Sequence, residues 1–241
     1  MSEVEESELD LDPGEEAPVS REAPAFRWTV SMVGAVILLI GGLVLWPMIL
    51  RQRKAVDRTR AIGNCKQIGL ALLEFEQEFG AFPNEKTAEL VRRSTKTPLD
   101  LPGRSTNAAF RQLVAFGIGA EAIYYCVHPE MDKKPDGDIS PGKAIEAGET
   151  GYSYIAGFDT KAKPGIPLVL APMRIGTEAF WEEPYGGKAV LLRADNSVEA
   201  PLIRRSDGKV PVGSGKTVFD TGADTVWGEG FDVDMWHPER R

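Results

Sequence analysis

The sequence predicts an α+β protein: a long N-terminal helix, apolar in its first half and amphipathic in its second, packed along a small antiparallel sheet. Three observations lead there. An uncharged apolar run extends from Trp28 to Leu50. It passes without a Gly- or Ser-rich linker into a stripe of Ile68, Leu72, Phe75 and Phe79, whose spacings of four, three and four place them on one helix face. Beyond residue 150, short apolar runs alternate with Gly, Pro, Asp and Asn clusters, the pattern of brief strands and turns.

The first element is a tail. Residues 1–20 hold eight acids, Glu3, Glu5, Glu6, Glu8, Asp10, Asp12, Glu15 and Glu16, and no Lys or Arg, which matches the whole formal charge of −8. Such a segment cannot bury enough apolar surface to offset its ordering entropy, so residues 1–27 are expected to be disordered. Next comes the span, residues 28–50. At roughly 1.5 Å per helical residue it crosses a hydrocarbon core about 30 Å thick. Trp28 and Trp46 suit the two interfaces, and Pro47 is expected to bend the last turn rather than end the helix. A cleaved signal peptide would need a basic start, a shorter apolar stretch and small residues at the cut; here acids precede the run and Trp-Pro-Met-Ile-Leu ends it. An uncleaved anchor is expected.

Residues 51–83 continue the helix, with Lys66, Glu74, Glu76 and Glu78 largely off the apolar stripe and Gly80 and Pro83 as the stop. Residues 84–241 form the domain. A shorter helix is expected around Asn107–Phe116, an apolar run at Tyr124–Val127, and a Pro-, Gly- and Asp-rich loop over Pro129–Gly151. Strands are expected from Tyr152-Ser-Tyr-Ile-Ala and Pro167-Leu-Val-Leu-Ala, and a hairpin from residues 188–193 and 198–203 about the turn Ala194-Asp-Asn-Ser.

Composition excludes several classes. No basic stripe interleaved with aromatics suggests nucleic acid. Two cysteines, Cys65 and Cys126, and two histidines are too few and too scattered for a zinc site; two buried free thiols are the default, a Cys65–Cys126 disulfide the alternative. His128 and His237 are isolated and read as structural. No Ser or Cys has an identifiable base, so no enzyme is expected.

A family resemblance appears at several stretches taken together. The span leading into Asn64-Cys-Lys-Gln-Ile-Gly-Leu-Ala-Leu, then Phe75 and Phe79-Gly-Ala-Phe-Pro83, resembles type IV pilin-like proteins. It is most similar to the type II secretion pseudopilin-like proteins abundant in planctomycetes. Gly186-Gly-Lys-Ala-Val-Leu-Leu-Arg-Ala-Asp-Asn-Ser-Val-Glu199 is similar to that group's late hairpin. Gly222-Ala-Asp, Gly228-Glu-Gly and Asp232-Val-Asp-Met-Trp236 resemble the calcium loop of major pseudopilins. The resemblance implies a pilin-like fold, a place in the inner (cytoplasmic) membrane with the domain outside the cytoplasm, and other pilin-like or secretion-system subunits as partners. It also implies calcium as cofactor, with Asp224 together with Asp232 or Asp234 as ligands; Asp220 and Glu229 lie in the same acidic stretch. One departure matters. Ala25-Phe-Arg-Trp-Thr29 lacks the glycine of a prepilin cleavage site, and the span lacks the glutamate that pairs neighbouring subunits in a filament. The expected function is therefore that of an anchored structural component of a secretion or pilus-type assembly rather than a regular filament subunit. An anchored binding or sensor module with a diverted pilin fold is the alternative.

Two motifs imitate other chemistry. Gly213-Ser-Gly-Lys-Thr217 suggests a phosphate loop, but the first glycine of that motif would fall at Val210 and no helix-forming stretch follows, so no nucleotide is expected. Val218-Phe-Asp-Thr-Gly-Ala-Asp-Thr-Val226 imitates an aspartic protease turn around Asp220, but the fifteen residues after Val226 are too few for that barrel. The charges flanking the span pose a conflict. Arg21 and Arg27 precede it and Arg51, Arg53, Lys54, Arg58 and Arg60 follow, which by the positive-inside rule favours a cytoplasmic domain. The pilin resemblance favours the other side, and the expectation follows it.

Overall fold

The structure, a computed structural model, describes residues 24–241. The acidic tail to residue 23 lies outside the described residues, as do the side chains of residues 24–31, Val44 and Pro47, and with them the interfacial role expected of Trp28. The molecule is α+β, with a long N-terminal helix and a small antiparallel sheet. Two compact units divide between Met48 and Ile49.

Helix α1 runs Pro24–Phe79, starting four residues before the expected span and continuing through position 47. Its Met32–Phe79 portion is long and apolar enough to cross a membrane. In the first unit, Ile37, Leu38, Leu39, Leu43 and Trp46 are all more than half exposed. In the second unit, Ile68, Leu72 and Phe75 of the expected stripe are fully buried together with Ala61 and Cys65, and Phe79, the fourth member, is half-buried. Helix α1 ends where Gly80 takes a φ of +75°, a conformation that a side chain resists, and its amide bonds Glu76 O at 2.7 Å.

Helix α2, Glu85–Thr95, was not anticipated. Asn84 caps it, its side-chain oxygen accepting from the amides of Lys86 (2.8 Å) and Thr87 (3.1 Å), while Thr87 Oγ1 accepts from the Asn84 amide at 2.8 Å. Helix α3, Thr106–Ala115, lies within a residue of its expected limits and is capped by Ser105. Glu121–Tyr124 makes one 3₁₀ turn.

The main sheet takes the order β4-β3-β2-β1-β7 and is antiparallel throughout. Strand β1 is Ser153–Ile155, β2 Pro167–Ala171, β3 Val190–Arg193 and β4 Val198–Glu199, with Asn196 at φ +63° in the expected turn. A second hairpin joins β5, Pro211–Gly213, to β6, Lys216–Thr217, through Ser214 and Gly215, both at positive φ. The phosphate-loop look-alike is therefore a tight hairpin turn. Strand β7, Met235–Trp236, adds to β1 as an edge. Helix α1 approaches this sheet closely at Gly69, where a β-carbon would lie 1.9 Å from Asn196 Oδ1 and 3.0 Å from Leu192 Cδ1. Tyr152 Oη donates to Ala61 O at 3.1 Å and ties β1's approach to the same helix.

Candidate functional site

The C-terminal segment, residues 218–234, is the place where the sequence puts metal ligands. Gly222, Gly228 and Gly230 all adopt positive φ, and Gly222 and Gly228 pair across the loop, the Gly222 amide donating to Gly228 O at 2.8 Å. The loop folds tightly, as expected of its glycines, but around aromatic rings. Trp227 is buried, and its indole N–H donates to Val218 O at 2.7 Å. Phe231 stacks on Trp227 with ring centres 5.5 Å apart and on Phe158 at 5.6 Å.

The three carboxylates occupy separate surroundings. The Asp224 side chain is 92% exposed, with Lys216 Nζ 3.8 Å away. Asp232 is exposed and borders an open cleft of about 510 Å³ together with Phe219, Asp220, Phe231, Met235 and His237. Asp234 Oδ1 accepts from Arg104 Nη2 at 2.6 Å and from the Trp236 indole at 3.1 Å. Its charge is thus already balanced by a guanidinium. Calcium demands six to eight oxygens converging on one point, and Asp224, Asp232 and Asp234 as placed do not fit that demand. Asp220 accepts from the Thr217 amide at 2.6 Å, and this bond holds its carboxyl below the usual range. It acts as a turn residue.

The carboxylates that do converge among the described residues are Glu121, Asp136 and Glu149, whose oxygens lie within 4.8 Å of one another. They sit in and beside the loop Pro129–Gly151, and sequence reasoning passed over them. Glu121 is buried at the 3₁₀ turn, where its two oxygens accept from the amides of Gly137 (2.9 Å) and Ile145 (2.7 Å). Glu149 is 1% exposed. One oxygen accepts from the Glu146 amide at 2.7 Å, and the other lies 2.6 Å from the Lys133 ammonium. Lys133 also pairs with Glu146 and lies 3.4 Å from Asp136. The lysine thus already pairs with two of the three converging carboxylates, Asp136 and Glu149. The hydrogen bonds that Lys133 donates to Glu146 and Glu149 raise its pKa, while Lys133 and Lys143 lower that of Glu146 to about 2. Burial outweighs the lysine at Glu149 and raises its pKa. The arrangement can pin a loop, its acids paired with a cation of the chain itself.

The cysteines and histidines are held within the fold. Cys65 and Cys126 are buried free thiols beside Tyr152 and Tyr185, and burial pushes both pKa values up, Cys126 to about 12, so neither offers a thiolate. His128 Nδ1 accepts from the Glu130 amide at 3.1 Å, which leaves Nε2 to donate to Met173 O at 2.6 Å. Burial lowers its pKa and keeps it neutral. His237 Nδ1 lies 3.1 Å from Ser153 Oγ within the fold, and burial lowers its pKa too. Compared with protein-family models, with curated proteins and with solved structures, the chain matches none.

Proposed function

We propose that this protein is a single-pass, membrane-anchored structural protein whose extracytoplasmic α+β domain resembles a pseudopilin and works in a secretion or pilus-type envelope assembly. The observation that carries the reading is the division within α1. Met32–Leu50 exposes large apolar side chains to an extent no water-soluble surface sustains, while Ala61–Phe75 contributes a buried stripe to a domain with an antiparallel sheet. That is the division of labour of a pilin-like subunit. The missing cleavage glycine and the missing intramembrane glutamate set this chain apart from filament subunits. Its partners are then other pilin-like or secretion-system subunits reached through the assembly rather than through regular polymerisation.

Two of the basic residues that weigh against an extracytoplasmic domain have folded roles. Lys54 pairs with Glu183, and Arg58 Nη1 donates to Tyr185 O at 3.2 Å. These contacts give the basic residues at 54 and 58 a use within the fold whichever side the domain occupies. The test is a pair of full-chain fusions in cells. Alkaline phosphatase placed after Arg241 should be active and the protein should resist carbonate extraction. An inactive phosphatase with an active cytoplasmic reporter at the same point would reverse the orientation, and extraction by carbonate would end the anchored reading. Cross-linking in intact cells should then recover pilin-like or secretion components; recovery of a regulatory protein alone would favour the anchored sensor.

A further inference from the structure

Within the second unit, helix α1 buries one face in the domain, and its opposite face should be charged or polar where it meets only water. The centre line of that face is uncharged. Gln52, Val56, Thr59, Gly63, Gln67 and Leu70 follow one another at spacings of four, three, four, four and three, which keeps them on one side of the helix. No charge interrupts them before Glu74, in a chain of which 27% is charged. Along this line an apolar side chain recurs at every seventh position. Ile49 is 46% exposed, Val56 63% and Leu70 60%, with Gly63 at the remaining place. All four belong to the second unit. A β-carbon on Gly63 would meet nothing within 4 Å, so the backbone lies open there. A seven-residue apolar repeat on an uncovered helix face is the pattern of a helix that packs on another helix, and β-branched residues at the repeat suit a pair.

The charges beside the line say which partner fits. Arg53 and Arg60 lie along one edge and Lys66 along the other. In a parallel pair of identical helices each edge faces the opposite edge of its partner, so Arg60 comes beside Ala55 and Ile62 of the second copy rather than beside an arginine. Lys66 alone approaches its own copy, and its long apolar stem carries the ammonium outward to water. An antiparallel pair centred on Gly63 would set Arg60 against Lys66 twice over, a contact between like charges. The parallel register, apolar residue on apolar residue and glycine on glycine, is one that this sequence meets in itself. The seam is narrow and about 32 Å long. Chains held in one bilayer have a raised effective concentration, so a narrow seam is enough to pair them.

We infer that the outer face of α1 between Ile49 and Leu70 is a parallel, in-register contact with a second copy of this chain. The inference rests on the anchored reading and deepens it by naming a partner. Like residues meet across a two-fold axis that runs along the helices, and Gly63 lets the two backbones approach. Both chains leave the contact at Ile49 on the same side, as two anchors in one bilayer allow.

The test is disulfide cross-linking of the full chain in membranes. Val56→Cys and Leu70→Cys are made singly, with Leu90→Cys, exposed on α2, as the control; Cys65 and Cys126 are buried and out of reach. Under copper–phenanthroline oxidation, Val56→Cys and Leu70→Cys should each give a same-site dimer about tenfold faster than Leu90→Cys, since only they face their own copies. Differently tagged chains carrying Val56→Cys and Leu70→Cys, when mixed, should give no 56–70 product, because about 21 Å of helix separates the two positions. Adding Gly63→Glu, which has room in the fold, should lower both same-site rates to that of the control. Rates equal to the control, a 56–70 product that outruns the same-site ones, a cross-link to a different protein in place of the dimer, or dimers that survive Gly63→Glu would each overturn the inference. A chain that stays in carbonate-washed membranes without same-site products defeats this contact alone. A chain that carbonate extracts defeats the anchored reading, and the contact is then decided by the same rates measured in solution.

Discussion

The loops Pro129–Gly151 and 218–234 invite comparison because each is rich in acids and glycines and each is held by a different force. In the first, Lys133 lies among Asp136, Glu146 and Glu149, and the backbone amides of Gly137 and Ile145 satisfy Glu121. In the second, no lysine lies within the loop, and Trp227, Phe231 and Phe158 stack at its centre while Asp224 and Asp232 are exposed, Asp220 bonds the Thr217 amide and Asp234 bonds Arg104. An acidic loop thus converges on a charge only where it contains the opposite one. Where it holds aromatic residues instead, burial of the rings organises it and the acids are pushed outward. Calcium was expected of the second loop; the first gathers the carboxylates, around an ammonium.

Removing the organiser of each loop tests this contrast. Trp227→Ala should cost the most, about 3–5 kcal/mol for a buried tryptophan, measured by denaturant unfolding in detergent, and the loss should be unchanged by salt. Lys133→Met comes next. It leaves Glu149 buried beside Glu146 without a cation, so the melting temperature should fall. The deficit should shrink in acid, where the carboxylates are neutral, and Glu149→Gln added to it should recover part of the loss. The wild-type pH profile follows from the same groups. Glu146 is lowered in the folded state to about 2, so its contribution is present above the unfolded value near 4.5 and is lost as pH falls through about 2. Glu149 is raised and acts oppositely above 4.5, stability there gaining as it takes up a proton. A melting temperature that climbs steadily from pH 5 to pH 2, or a Glu146→Gln variant with the same acid slope as wild type, would remove the network from this account. Smallest is Asp224→Asn, which at 92% exposure should change stability by less than about 0.5 kcal/mol. Stabilisation by added calcium that this variant loses would show that an ion regathers the C-terminal carboxylates.

Periodicity carried much of the fold. The Ile68, Leu72 and Phe75 stripe, the Gly80 stop, helix α3 and the four strands from Ser153 to Glu199 were all legible because each is encoded within a few residues by spacing or turn chemistry. Helix α2 escaped because its buried face is only Thr87, Ala88 and Val91, small residues that carry little apolar signal. Its signal was the cap: Asn84 and Thr87 are three residues apart just after Pro83, and their side chains bond each other's amides. Strand β7 escaped because two residues, Met235 and Trp236, carry no period at all; only their pairing with Tyr154 and Ile155 makes them a strand. The acidic cluster was missed for a related reason. Glu121 precedes Lys133 by twelve residues and Glu149 follows it by sixteen, and nothing local announces that they meet.

By itself the sequence determined that a segment from residue 28 to residue 50 is too apolar for water and that the helix after it has one buried face, since both are properties of neighbours along the chain. It determined where turns fall, because a glycine or an asparagine at positive φ is a local choice. Only the tertiary structure decided which charges face one another. Coulomb attraction and burial act through space, and whether Asp234 waits for a metal or bonds Arg104 depends on a residue 130 positions away.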